Sequence, residues 1–116
     1  MDLRDMRELM IEVHELAKSK GWWDNPDRNF AELIALMHSE LSEALEEYRK
    51  YDLDQYRFLY FDSTNSKPEG IASELADVVI RICDACQRYK IPLVEAIQAK
   101  HEYNSMREHR HGGKVC

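Results

Sequence analysis

The segment Glu40-Leu41-Ser42-Glu43 lies in a run whose apolar residues recur at helical spacing, and Glu74-Leu75-Ala76-Asp77 repeats its arrangement farther along the chain. In each segment the two acidic residues are three positions apart, which places both carboxylates on one face of a helix. If the two helices pack side by side, four carboxylates meet in one small volume. Two anions about 4 Å apart repel by roughly 4 kcal/mol at an effective dielectric constant near 20, so such a cluster favours a bound divalent cation.

The position of these acids on their helices distinguishes them from an ordinary solvated face, which is the usual meaning of an isolated acidic pair. Glu40 lies within the margin of the first apolar stripe, and Glu43 and Glu47 lie just beside it. Glu74 and Asp77 follow one edge of the second stripe. The first stripe comprises Leu33, Ile34, Met37, Leu41, Ala44, Leu45 and Tyr48, and the second comprises Ile71, Leu75, Val78, Val79, Ile82, Ala85, Cys86 and Tyr89.

The length and composition of the chain predict a single all-α domain over residues 1–116. Helix-forming residues dominate, the 4 glycines and 3 prolines are few, and β-branched residues nowhere alternate with polar ones over a strand's length. The expected helices run from Asp2 to Lys20, from Asn29 to Tyr51, from Pro68 to Lys90, and onward from Pro92. The aromatic-rich segment 52–67 is long for a connection, so we expect it to form a subunit contact or to cap a site.

The charge and hydropathy of the chain limit its partners. No apolar run approaches the length of about 18 residues that spans a bilayer, and the N-terminus lacks the apolar region of a signal peptide, so a cytoplasmic protein is expected. The net charge of −6 disfavours nucleic acids and anionic membranes as partners. Residues 1–99 carry 12 Lys and Arg against 20 Asp and Glu, whereas residues 100–116 carry four against two. A basic, flexible tail is therefore predicted at about residues 108–116.

The cysteines do not indicate a metal or redox centre. Cys83 and Cys86 have the spacing C-x-x-C, but they lie within a helical stripe and have no second such pair. They are interpreted as buried free thiols.

Two tryptophans directly after the first helix form a second candidate feature. Trp22 and Trp23 lie in a short loop where large aromatic side chains are costly to expose, and His14 lies at the edge of the preceding apolar stripe. Packing against the core and stacking on a nucleobase are both consistent with this arrangement.

The last predicted helix changes character along one line of its surface. Leu93 and Ile97 are apolar, whereas Lys100, Asn104 and Arg107 follow at helical spacing. Such a line suits an anion, although a helix that emerges into solvent has the same pattern. The ending Arg110-His111-Gly112-Gly113-Lys114 is basic and contains two flexible glycines, so it is able to fold over a phosphate or to fray.

Together these motifs resemble the MazG-like all-α nucleoside triphosphate pyrophosphohydrolases, which are related to the all-α dCTP pyrophosphatases. The resemblance covers roughly residues 5–114 and rests on Glu40-x-x-Glu43, on Glu74-Leu75-Ala76-Asp77-Val78 and on Lys100-x-x-x-Asn104-x-x-Arg107. It implies a four-helix MazG-like bundle that is completed by homo-oligomerisation, as a homodimer or tetramer.

The resemblance also implies roles for individual residues. The metal ligands would be Glu40, Glu43, Glu74 and Asp77, binding Mg²⁺ with Mn²⁺ as a substitute. The phosphate-binding residues would be Lys100, Asn104, Arg107 and Lys114. His14 and Trp23 repeat a nine-residue spacing found at the base pocket of the related dCTP pyrophosphatases, with Trp22 beside them. Those enzymes carry a tyrosine where this chain has Arg81, so their pyrimidine preference does not transfer directly.

The chemistry of the residues agrees with this resemblance. Magnesium prefers oxygen ligands and retains several waters, which suits a carboxylate cluster facing a triphosphate. Water activated by the metal and deprotonated by Glu43 or Glu47 would attack the α-phosphorus, releasing a nucleoside monophosphate and pyrophosphate. Lys100 and Arg107 would help to neutralise the departing pyrophosphate.

Three other classes of protein share parts of this pattern. A di-iron bundle needs Glu-x-x-His on two helices, and the chain has only Glu108-x-x-His111. A catalytically inactive helical dimerisation or adaptor module would keep the bundle without turnover. A phosphoribosyl-ATP pyrophosphohydrolase would use the same acidic motifs on another substrate.

A mismatch between apolar surface and chain length indicates self-association. The third helix carries Ala76, Ile80 and Cys83 outside its main stripe, so it is apolar on more than one face. Four helices from 116 residues can hardly cover that surface and also enclose a nucleotide. We therefore expect an obligate homo-oligomer whose active sites include residues from two chains.

Overall fold

The computed structural model describes residues 3–107, and this part of the chain is mostly helical, as the sequence predicts. Helix α1 spans Arg4–Ser19, α2 spans Phe30–Tyr51, α3 spans Ile71–Tyr89 and α4 spans Leu93–Ser105. Between α2 and α3 lie a 3₁₀ turn, Gln55–Arg57, and an antiparallel hairpin of two short strands, β1 Tyr60–Phe61 and β2 Pro68–Glu69. The predicted tail and the expected N-cap Asp2 lie outside the described residues.

The local signals at the start of α2 and the end of α3 act as predicted. The Asn29 side chain accepts a hydrogen bond from the Glu32 backbone N–H at 2.8 Å, which satisfies one of the free donors of the first turn of α2. Helix α3 ends at Tyr89, where Lys90 adopts a left-handed conformation with φ 57°. Pro92 precedes the first residue of α4, as expected.

The predicted start of α3 at Pro68 and Glu69 is wrong. These residues form β2, in which Glu69 pairs with Tyr60 and Pro68 pairs with Phe61. The Asp62 carboxylate closes the intervening loop by accepting the backbone N–H groups of Thr64 and Asn65, and these two hydrogen bonds lower the pKa of Asp62. Proline fits the edge of such a hairpin because it has no N–H to donate.

Helix α3 is central, since it packs against both α1 and α2. The most buried apolar cluster consists of Met10 from α1, Cys83 and Cys86 from α3, and Val94 from the first turn of α4. Both cysteines are free and buried, which confirms their interpretation as core thiols. Helix α4 is thus held at its N-terminal end.

Within the described part of the chain, much of the predicted apolar surface of α2 and α3 is exposed. Leu33 and Ala44 of the α2 stripe are buried, but Leu41 and Leu45 are each 47% exposed. Other large apolar side chains on these two helices are also exposed, namely Ile34, Tyr48, Leu75, Val79 and Ile80. None of the helices within residues 3–107 combines the length and the apolarity that are needed to cross a bilayer.

The junction between the hairpin and α3 depends on Gly70, and this yields a prediction. Gly70 has φ +107°, and a Cβ there would lie 2.5 Å from the carbonyl oxygen of Phe58. Gly70→Ala should therefore lower the free energy of unfolding by about 3 kcal/mol, measured by urea denaturation. Gly21→Ala is the control, because Gly21 also has positive φ but its Cβ would meet only the flexible Asp24 carboxylate at 3.0 Å. Its expected loss is about 1 kcal/mol, and equal losses would contradict the role of the Phe58 contact.

Candidate functional site

Three carboxylates meet where α2 packs against α3. Glu40 of α2 and Glu74 and Asp77 of α3 each offer one oxygen, and these oxygens all lie within 4.8 Å of one another. All three side chains are half-buried. The spacing of three residues in α3 puts Glu74 and Asp77 on the same face, and packing of the helices adds Glu40. We call these three residues the acidic cluster.

The electrostatics of the acidic cluster favour an added positive charge. Burial raises the pKa of Glu74 to about 7, and a hydrogen bond with Glu40 and the charge of Asp77 add to this effect. Burial and the charge of Glu40 also raise the pKa of Asp77, against the opposing influence of Arg81 and Lys67. The carboxylates are thus costly to keep ionised together, and a cation or a proton relieves the repulsion.

Arg81 provides the hydrogen-bonded counter-charge. It lies one turn after Asp77 on α3, and its Nε and Nη2 groups donate to the same Glu40 oxygen, Oε1, at 3.1 and 3.0 Å. The Arg81 side chain is 28% exposed and that of Glu40 is 16% exposed. Sequence reasoning noted Arg81 as a departure from the resembled family but did not predict this ion pair.

The two predicted general bases have different surroundings. Glu43 is exposed and outside the acidic cluster, although it is close enough for its charge to raise the pKa of Glu74. Glu47 lies one turn farther along α2 and accepts hydrogen bonds from the Tyr60 hydroxyl at 3.1 Å to each carboxylate oxygen. Burial, followed by the bond to Glu47, raises the pKa of Tyr60 to about 12, so this hydroxyl remains a donor at neutral pH.

His14 and Trp23 meet at a residue that the sequence analysis did not single out, Asp84 of α3. Asp84 Oδ1 is 2.7 Å from His14 Nδ1 and accepts the Trp23 indole N–H at 2.9 Å. Asp84 and His14 are both buried, each 7% exposed. The Trp23 ring meets His14 and Tyr89 in edge-to-face contacts, with centroids 5.8 and 6.1 Å apart. Trp23 is therefore tied into the packing of α1 and α3.

Trp22, unlike Trp23, lines the cleft beside the acidic cluster. This cleft has a volume of about 370 Å³, within the range of about 300–1,000 Å³ typical of small-molecule sites. Its walls combine polar residues with the apolar side chains of α1 and α3: Val13, Leu16, Ala17, Lys20, Trp22, Glu40, Asp77, Ile80, Arg81 and Asp84. The Arg28 guanidinium stacks over the Trp22 ring at 4.0 Å from its centroid, and that of Arg81 lies at 5.2 Å.

Those predicted phosphate-binding residues that the structure describes do not line the cleft beside the acidic cluster. Lys100 and Asn104 line a shallow groove formed by α4 itself, and no residue of α4 in the described part lines the cleft beside the acidic cluster. Arg107 follows the end of α4, where it and Lys100 flank the Tyr103 ring. Lys114 lies outside the described residues. Within residues 3–107, one chain therefore brings together three of the four predicted metal ligands, Glu40, Glu74 and Asp77, and does not bring Lys100 or Asn104 into the cleft beside them.

The sequence contained signals for Asp84 and for the Arg81–Glu40 ion pair, neither of which the sequence analysis predicted. Asp84 is the single charged residue within the apolar run Ile82-Cys83-Asp84-Ala85-Cys86, and a buried charge requires hydrogen-bonding partners. Arg81 follows Asp77 by four positions, which places it on the same face of α3 as the acidic cluster.

The acidic cluster is chemically suited to magnesium. Its donors are all carboxylate oxygens, which hard divalent cations prefer, and these oxygens lie within 4.8 Å of one another. Partial exposure leaves room for the waters that magnesium keeps. The residues present therefore fit this metal.

Comparison of the chain with models of known protein families, with curated proteins and with solved structures gave no match. Function is therefore inferred from the chemistry of the site and from the motifs in the sequence.

The hydrogen bonds of Asp84 lead to a prediction about stability. Asp84→Ala should lower the free energy of unfolding by about 3 kcal/mol, because it leaves the buried His14 donor and the partly buried Trp23 donor without their acceptor. Asp27→Ala, which changes an exposed loop residue, should alter stability by less than about 0.5 kcal/mol. Chemical denaturation of both variants measures the difference. Equal stability of the two variants would contradict a stabilising role for Asp84.

Proposed function

We propose that this chain is a magnesium-dependent nucleoside triphosphate pyrophosphohydrolase, which releases a nucleoside monophosphate and pyrophosphate. The observation that carries the proposal is the acidic cluster of Glu40, Glu74 and Asp77, whose oxygens lie within 4.8 Å of one another at the edge of a cleft. The sequence motifs that resemble MazG-like enzymes contribute these three carboxylates. A cytoplasmic location is proposed with this function.

In this proposal Glu40, Glu74 and Asp77 hold Mg²⁺, with Mn²⁺ as a substitute, and Glu43 extends the set from its exposed position on α2. A divalent cation bound there supplies positive charge to the triphosphate and lowers the pKa of water. The chain's own contribution is to hold the carboxylates together against their mutual repulsion, so that the site is formed before the substrate arrives.

Glu43 and Glu47 remain the proposed general bases for the attacking water. Glu43 suits proton acceptance because it is exposed beside Glu74. Glu47 is instead held by the Tyr60 hydroxyl, which donates to both of its carboxylate oxygens and so fixes the orientation of the side chain. We therefore assign the proton transfer to Glu43 and an orienting role to Glu47.

The nucleobase is proposed to occupy the cleft that Trp22 lines, with His14 and Trp23 supporting its wall. Trp22 lies in the same cleft as Glu40 and Asp77, so a base there is close to the metal ligands. Trp23 and His14 are fixed by Asp84, which holds the loop that carries Trp22 against α3.

The phosphate groups are proposed to meet Lys100, Asn104 and Arg107 of a second copy of the chain, together with Lys114. Within one chain these α4 residues do not line the acidic cleft. Exposed apolar side chains on α2 and α3, including Leu41, Leu45 and Val79, supply a surface on which two copies can associate. A homodimer or a tetramer is therefore part of the proposal.

One observation favours a catalytically inactive dimerisation module as the second candidate. The Arg81 guanidinium already neutralises Glu40, so an ion pair is able to replace the metal in holding the two helices together. Assays of cation binding and of pyrophosphate release distinguish the two candidates, because the inactive module would show neither.

The first functional prediction concerns the acidic cluster. Glu40→Gln, Glu74→Gln and Asp77→Asn should each abolish magnesium-dependent pyrophosphate release from a panel of NTPs and dNTPs, and should remove the increase in melting temperature that Mg²⁺ gives the parent protein. In metal-free buffer, Glu74→Gln should melt at or above the parent temperature, because it removes one of the repelling charges. Glu46→Gln, at an exposed position paired with Arg49, is the matched control. Normal turnover in all three variants would exclude the cluster from the site.

A further prediction concerns assembly. The exposed apolar side chains of α2 and α3 should be covered by a second copy, so light scattering at micromolar concentration should give at least the mass of a dimer. Leu41→Glu should shift the population toward the monomer, whereas Leu9→Glu, at a residue 41% exposed on α1, should not. An active parent protein with the mass of one chain would contradict the shared site.

A further inference from the structure

Arg81 occupies a position between the acidic cluster and the cleft. Its Nε and Nη2 groups both bind Glu40 Oε1, at 3.1 and 3.0 Å, and its side chain also lines the cleft with Trp22 and Lys20. The guanidinium carbon lies 5.2 Å from the centroid of the Trp22 ring. Arg81 thus reaches Glu40 from the side on which a ligand in the cleft would lie.

A divalent cation and Arg81 compete for the same carboxylate. Glu40 belongs to the acidic cluster and its Oε1 atom accepts both hydrogen bonds from Arg81. Two positive groups held within a few ångströms of each other repel strongly in a half-buried site. Arg81 is 28% exposed, so its side chain has room to leave Glu40 without disturbing the buried core.

The group that Arg81 meets after leaving Glu40 is defined by the chemistry of guanidinium. Its planar set of N–H donors fits a carboxylate or a phosphate through paired hydrogen bonds, and it does not lose its charge on transfer. Among the described residues that line the cleft, Lys20 and Arg81 are the cationic ones. A polyphosphate bound beside the acidic cluster would therefore lie within the range of the Arg81 side chain.

We propose that Arg81 is a substrate-binding residue that exchanges partners: it neutralises Glu40 in the metal-free protein and moves to a phosphate of the substrate when a divalent cation binds the acidic cluster. Both halves of this exchange rest on the proposed function: the metal half on cation binding by the acidic cluster beside the Arg81–Glu40 pair, and the substrate half on nucleotide binding in the cleft. A permanent structural ion pair is the opposing interpretation, in which Arg81 stays on Glu40 and its loss weakens the contact between α2 and α3.

The first measurement uses the full chain and Mg²⁺ or Mn²⁺ alone. Isothermal titration of Arg81→Gln should give a cation affinity about tenfold higher than that of the parent, because the competing charge is removed. Arg81→Lys keeps the charge and should stay within about threefold of the parent. Arg49→Ala is the matched control, since this exposed arginine lies nine residues after Glu40 on α2, about 13 Å along the helix, and pairs with Glu46. Its cation affinity should be unchanged.

The second measurement follows nucleotide turnover at saturating Mg²⁺. Arg81→Gln should raise KM about tenfold or more with a smaller change in kcat, and Arg81→Lys should recover part of that loss. Circular dichroism melting of each variant reports on folding, and the lysine variant provides the test if the glutamine variant does not fold.

The outcomes distinguish the exchange from a permanent structural ion pair and from an Arg81 that leaves Glu40 without binding the substrate. Tighter cation binding together with a raised KM supports it. Unchanged or weaker cation binding in Arg81→Gln overturns it in favour of a structural ion pair, and tighter cation binding with an unchanged KM overturns the transfer to substrate. If the parent protein binds the cation but hydrolyses no nucleotide, the proposed function fails, while the cation titration still decides whether Arg81 and the metal compete.

Discussion

One carboxylate oxygen, Asp84 Oδ1, joins three separate parts of the chain. It lies 2.7 Å from His14 of α1 and accepts the indole N–H of Trp23, in the loop after α1, while its own backbone belongs to α3. A buried carboxylate is costly without such partners, so this interaction fixes how α1 and the loop lie on α3. Because Trp22 is the neighbour of Trp23, the same interaction places Trp22 in the wall of the cleft. The shape of the cleft therefore depends on the hydrogen bonds of Asp84, which lies in the wall of the cleft and also packs α1 and the following loop against α3.

The contrast between Asp84 and the acidic cluster shows which carboxylates are available to a ligand. Asp84 is 7% exposed and its oxygen is satisfied by two ring N–H groups from the chain itself. Glu74 and Asp77 are half-buried, and burial is the largest cause of their raised pKa values. The guanidinium of Arg81, which is hydrogen-bonded to the acidic cluster, donates to Glu40. An internally satisfied carboxylate stabilises the fold, whereas a group of mutually repelling carboxylates gains most from an added cation. The same helix α3 thus carries a structural acid and the candidate ligands.

The features that the sequence predicted are those that one helix determines by itself. The mostly helical fold, the Asn29 cap and the shared face of Glu74 and Asp77 follow from local spacing and local hydrogen bonds, which the sequence displays directly. The hairpin was missed because Pro68 favours both a first helical turn and a strand edge, and pairing with Phe61 decides between them. Asp84 and the Arg81–Glu40 pair were missed because their partners are distant in sequence, so only the packing of the helices selects them.

The position of α4 sets the last constraint on any phosphate site. Val94 packs with Met10, Cys83 and Cys86, and Glu95 pairs with Arg7 of α1 at 2.8 Å, so the first turn of α4 is anchored on the side of the core where α3 ends. Glu74 lies near the other end of α3, 12 residues before Cys86, or about 18 Å along the helix. Lys100 and Asn104 line a groove of α4 itself and are not among the residues that line the cleft beside the acidic cluster. A movement of α4 that released this anchor would expose the fully buried Val94. In the proposed homo-oligomer, a second copy would bring Lys100 and Asn104 to the acidic cluster without any change at the anchor of α4, and it would also cover the exposed apolar residues of α2 and α3.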